Sequence, residues 1–168
     1  MGNLYLKSVL RSGLILGGVF SLHFLCSTAH NILFSILTYA AIGFIIVMSY
    51  RLPVSFRDNE NEGVISFGAA FLYVLLSFFI ASFISFVIKV LFFSVVNPDY
   101  LLLQQSQVFD TIEAMKISFD EEQYRVLENM FQPVVYASYF FIMNMFFAVI
   151  FGLIIATFVK KEKSIFDN

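Results

Sequence analysis

Residues 64–96 read VISFGAAFLYVLLSFFIASFISFVIKVLFFSVV and contain a single charged side chain, Lys89. A helix crosses a hydrocarbon core about 30 Å thick with roughly 20 apolar residues. This run exceeds that length without a proline, so it predicts a membrane span long enough to tilt or to project beyond the bilayer. Three further runs satisfy the same criterion, at about residues 9–29, 32–50 and 134–159. The 27–31 turn between the first two is too short for anything but an antiparallel pair.

Composition agrees with the spans. The chain is 60% hydrophobic and 13% charged, with 23 Phe and no Trp, against about 25% charged residues in a soluble domain. So much apolar surface cannot be hidden inside a chain of 168 residues, and lipid must cover part of it. A net charge of −2 without a basic stripe excludes nucleic acid as a partner. Cys26 is the only cysteine, so no internal disulfide can form. Lys7 before the first apolar run and Arg11 at its start resemble a signal peptide, but the run is too long and lacks a small-residue cleavage site. The expectation is a retained first helix.

Two polar regions interrupt the spans. The first, 51–63, is punctuated by Pro53 and Gly63 and reads as a helix–loop–helix turn. The second, 97–132, reads as a pair of amphipathic helices. Asn97-Pro98 has the form of an N-cap followed by a first-turn proline. Ser118 and Glu121 have capping-box spacing, and Glu121 stands four residues before Arg125, suited to an ion pair. The fold class expected is therefore all-α: an integral membrane four-helix bundle, one domain over 1–168, with an external amphipathic helical hairpin between spans three and four.

Charge sets the expected orientation. Lys7, Arg11, Arg51, Arg57, Lys160, Lys161 and Lys163 fall on one side of such a bundle. Region 97–132 holds Asp99, Asp110, Glu113, Asp120, Glu121, Glu122 and Glu128 against only Lys116 and Arg125. The positive-inside rule then places both termini in the cytoplasm and 97–132 outside a bacterial inner membrane.

Helices in lipid associate where small residues recur every fourth position. Such stripes occur at Gly13, Gly17 and Ser21, at Ser77, Ala81 and Ser85, and at Ala148, Gly152 and Ala156. Each marks a bundle-facing side or, alternatively, a face for a homo-oligomer. Lys89 lies four residues after Ser85, and Asn144 four before Ala148, so the stripes carry both inward. A lysine at mid-bilayer costs about 3 kcal/mol. Lys89 is read either as snorkelling to the outer surface or as a site for an anionic lipid or substrate. Asn144 is read as an interhelical hydrogen-bonding group or as part of that site. His23, Cys26 and His30 share a helical face but lack a ligand from a second helix, so no metal or cofactor is expected. No phosphate-binding loop, nucleophile elbow or zinc-protease motif is present.

The stretch Glu62-Gly-Val-Ile-Ser-Phe-Gly-Ala-Ala-Phe71, with Asn97-Pro98-Asp99-Tyr100, Met130, Pro133 and Lys160-Lys161, resembles the domain-of-unknown-function 4199 family. The resemblance covers nearly the whole chain. It implies a small four-span membrane protein of Bacteroidetes-type bacteria without an assigned activity, and a polyprenol-type glycosyltransferase as partner. Gly68, Ala69 and Ala70 are expected to permit close helix packing at the start of span three.

The function expected is a non-enzymatic accessory or scaffolding subunit within the bilayer, working with a membrane-protein partner. The alternative is a small transporter or lipid-handling protein built on Lys89 and Asn144.

Overall fold

The computed structural model describes residues 2–29 and 31–162, which are helical apart from turns and one isolated bridge. In chain order the helices are α1 (Gly2–Ser27), α2 (Ile32–Glu60), α3 (Phe67–Leu91), α4 (Asp99–Ala114), α5 (Glu121–Met130) and α6 (Pro133–Val159), with a π turn over Phe92–Val96 closing α3. Four of these, α1, α2, α3 with its π turn, and α6, are long and apolar enough to cross a membrane. The chain is thus all-helical with four candidate membrane spans. His30 and Lys163, which entered the metal and orientation arguments, lie outside the described residues.

The chain forms two compact units. The first comprises Met1–Ser85 and Met143–Asn168, and the second Phe86–Ile142.

In the first unit α1 lies close against α3 because Gly13 and Gly17 remove the side chains that would hold them apart. A Cβ at Gly13 would sit 2.6 Å from Ile80 Cβ, and one at Gly17 3.3 Å from Ala81 Cα. Gly152 lets α6 approach α3 in the same way, with Phe71 filling the space 3.1 Å from where a Cβ would stand. All nine stripe residues are buried. Gly68 departs from the expectation of close packing. A Cβ there would meet nothing within 4 Å, and burial falls instead on Ala70.

The expected turn at 51–63 is mostly helix. α2 continues to Glu60 with Pro53 inside it, although a helix-interior proline removes one backbone hydrogen bond. Tertiary contacts offset that loss. Phe56 is buried, stacks on Tyr73 at 5.3 Å and meets Tyr5 edge-on at 5.4 Å. One turn on, the Arg57 guanidinium donates to the Val159 carbonyl at 2.8 Å, satisfying one of the carbonyls left open at the end of α6. The same guanidinium pairs with Asp58 at 2.7 Å.

The chain then reverses through Glu62 and Gly63, both left-handed, with Gly63 at φ 74°. Glycine takes that conformation without steric cost. Ile65 and Lys161 exchange two backbone hydrogen bonds, 2.8 and 2.9 Å, in an antiparallel bridge. Ser66 Oγ accepts from Ala69 N–H at 3.3 Å and caps α3. The stretch 62–71 is therefore a clasp that ties the end of α2, the start of α3 and the end of α6 together.

The second unit is held by aromatic rings. Phe93, fully buried, stacks on Tyr100 at 5.6 Å and meets Tyr136 edge-on at 5.4 Å. Tyr136 also contacts Phe131 and Phe140. Each pair of this geometry adds about 0.5–1.5 kcal/mol beyond burial. Helices α4 and α5 meet through Phe109 and Tyr124, whose centroids are 5.9 Å apart.

Helix starts in 97–132 differ from the expected caps. α4 begins at Asp99 with Pro98 as its N-cap. α5 is capped by Asp120, not Ser118: its carboxylate accepts from Gln123 N–H at 2.8 Å, and Gln123 Oε1 accepts from Asp120 N–H at 3.0 Å. An aspartate caps at least as well as serine, and the later start places the apolar Phe119 outside the helix against Tyr124, 5.7 Å away. Glu121 and Arg125 do not pair; among the described residues the ion pair found is Arg57–Asp58.

Candidate functional site

Three places gather polar chemistry. The first is in the first unit and was not singled out in the sequence. Tyr73 is 1% exposed, and its hydroxyl lies 2.9 Å from Ser8 Oγ and 2.8 Å from Ser12 Oγ. Tyr5 adds a hydrogen bond from its hydroxyl to the Ala69 carbonyl at 2.9 Å. A phenol donates one hydrogen bond and accepts others, so one Tyr73 hydroxyl can satisfy two serines. Tyr73 stands four residues before Ser77 and thus heads the row Ser77, Ala81, Ser85, Lys89. That spacing was the available signal. Ser77 and Ser82 are buried with hydroxyls that find no hydrogen-bond partner among the described residues. This network fastens α1 to α3, and no group in it is arranged as a nucleophile with a base beside it.

The second is Lys89, in the second unit. Its residue is only 5% exposed, and its ammonium stands 5.3 Å from the centroid of the Phe140 ring. A cation within about 6 Å of a ring face is attracted by the ring's quadrupole. Asn144, the other residue carried inward by a stripe, lies in the first unit on α6 and is half-buried. No hydrogen bond to its side chain is found among the described residues.

The third is the face of α5. A cleft of about 500 Å³ is lined by Phe119, Asp120, Glu122, Gln123, Val126, Leu127 and Met130. Within α5 those residues fall at i, i+1, i+4, i+5 and i+8 from Glu122, which is one side of a helix. Acidic and amide groups occupy its N-terminal end, and Val126, Leu127 and Met130 its C-terminal end. Val126 is 56% exposed, and Leu127 and Met130 beside it are half-buried.

His23 and Cys26 share a helix, and Cys26 is buried, but no group of three or more metal-ligating side chains occurs among the described residues.

No curated protein and no solved structure matches the chain. The family model described as "Protein of unknown function (DUF4199)" matches residues 11–161. That match takes in all four long helices, the clasp at 62–71 and the 97–132 insert, and the chain belongs to the DUF4199 family.

Proposed function

We propose that this chain is a non-enzymatic accessory or scaffolding subunit of a bacterial inner membrane. In this reading both termini are cytoplasmic, and 97–132 stands outside as a helical hairpin offered to a membrane-protein partner. The carrying observation is the insert itself. It holds seven acids and two bases, with no ion pair among them, and on α5 an exposed Val126 beside the half-buried Leu127 and Met130. Apolar side chains open to solvent within a polar, charged rim form a surface that another molecule can cover. The orientation is supported by the concentration of Lys and Arg on the opposite side.

The test is co-purification of the tagged chain after mild detergent extraction. Recovery with a defined membrane protein is expected; repeated recovery alone and monodisperse refutes the reading. Orientation is tested with a membrane-impermeant maleimide on single cysteines introduced at Ser118 or Asn61 in a Cys26→Ser background. Labelling is expected at 118 and not at 61.

A second reading, a lipid-handling or small transport protein, draws support from the enclosed Lys89 ammonium over Phe140. It requires an anionic headgroup or substrate at Lys89. Native mass spectrometry should then show an anionic lipid retained by the wild type and lost in Lys89→Met. Equal lipid retention by both refutes it.

A further inference from the structure

The face of α5 is graded along its length. Asp120 and Glu122 lie at the end where the helix begins, while Val126, Leu127 and Met130 lie toward Pro133, where α6 begins three residues after Met130. Eight residues separate Glu122 from Met130, about 12 Å along a helix at 1.5 Å per residue. The apolar end is therefore the end next to a candidate span, and the acidic end is the far one.

We infer that this cleft seats a basic amphipathic segment flanking a transmembrane helix of another membrane protein. Its apolar side chains lie on Val126, Leu127 and Met130, and its Lys or Arg lie against Asp120 and Glu122. The inference rests on the subunit reading above and specifies the partner's chemistry. Charge decides among occupants. A second copy would bring the same excess of five negative charges to its own insert and set acid against acid. An anionic bilayer surface is repelled by the same charge, and a neutral one could cover only the apolar end, leaving Asp120 and Glu122 without a counter-charge. A basic segment neutralises them while covering the apolar side. The cap bonds of Asp120 fix the acidic end in place, since its Oδ1 accepts from Gln123 N–H.

The experiment uses the full chain in phosphatidylcholine nanodiscs with a benzophenone amino acid replacing Val126. The probes are a synthetic leucine–lysine amphipathic helix and its leucine–glutamate counterpart. Irradiation should attach the lysine peptide at least tenfold more than the glutamate peptide. Asp120→Asn with Glu122→Gln should reduce the adduct about tenfold. Asparagine still caps the helix, and circular dichroism checks that helix content is unchanged. Raising the salt should weaken attachment, because exposed charges are screened. Equal labelling of both peptides, attachment mainly to lipid or to a second copy, or no adduct overturns the inference. Its failure is separable from that of the subunit reading. If the peptides do not attach but the chain still co-purifies with a membrane protein, the cleft assignment falls and the subunit reading stands. If the lysine peptide attaches but the chain purifies alone, the subunit reading falls.

Discussion

Gly13→Ala is the sharpest test of how α1 meets α3. The added methyl would lie 2.6 Å from Ile80 Cβ, 2.7 Å from its Cγ2 and 3.2 Å from its Cδ1. Carbon atoms rest at about 3.5–4.0 Å, so the overlap is about 1 Å. Ile80 cannot turn away: its Cβ is fixed by the backbone, and a β-branched side chain in a helix has one strongly preferred rotamer. The helices must separate, and overpacking of this kind costs about 1–3 kcal/mol. Separation also stretches the Ser12–Tyr73 bond, now 2.8 Å, beyond hydrogen-bond range. That adds about 0.6 kcal/mol, the average for such bonds in membranes. The expected loss is therefore about 1.5–3.5 kcal/mol. Gly18 is the control, because nothing lies within 4 Å of a Cβ there. Gly18→Ala should be neutral or stabilising, given alanine's helix propensity advantage of up to about 1 kcal/mol. The assay is unfolding in mixed dodecyl maltoside and SDS micelles, followed by circular dichroism. Adding Ile80→Ala to Gly13→Ala should restore at least about 1 kcal/mol in a double-mutant cycle. The reasoning is refuted if Gly13→Ala is as stable as Gly18→Ala, or if the Ile80 substitution gives no rescue.

Three other outcomes follow from the same geometry. Tyr73→Phe deletes the hydroxyl shared by Ser8 and Ser12 and should cost about 1 kcal/mol in the micelle assay; an unchanged transition would show the network is not holding α1. Arg57→Ala removes the donor that closes α6 and should cost about 1–2 kcal/mol, with faster amide exchange at Lys160 and Lys161; unaltered protection there would refute the clasp. Asp120→Ala should lower α5 stability by about 1 kcal/mol and reduce helix content, whereas Ser118→Ala should change little; the reverse order would restore Ser118 as the cap.

The spans were legible because lipid demands long apolar runs, which leave a signal in composition alone. The stripe residues were legible for a related reason: close helix approach needs small side chains at fixed spacing. Tyr73 was missed because a tyrosine does not resemble a small-residue position, and its partners Ser8 and Ser12 lie on another helix 65 and 61 residues away. The end of α2 was misplaced because Pro53 and the polar residues after it resemble a turn. Burial of Phe56 on Tyr73 and the reach of Arg57 to Val159 carry the helix on. Ser118 and Asp120 are both good caps, and the ring of Phe119 against Tyr124 accompanies the later start.

By itself the amino-acid sequence determined the all-helical class, the four apolar helices, the family and the charge asymmetry, since each depends on residue type and local spacing. Only the tertiary structure decided what 62–71 is for, which hydroxyls fasten α1 to α3, how deeply Lys89 is enclosed, and that Val126 on α5 stands exposed beside the half-buried Leu127 and Met130. Those features depend on contacts between residues distant in the chain, where hydropathy and periodicity carry no information about partners.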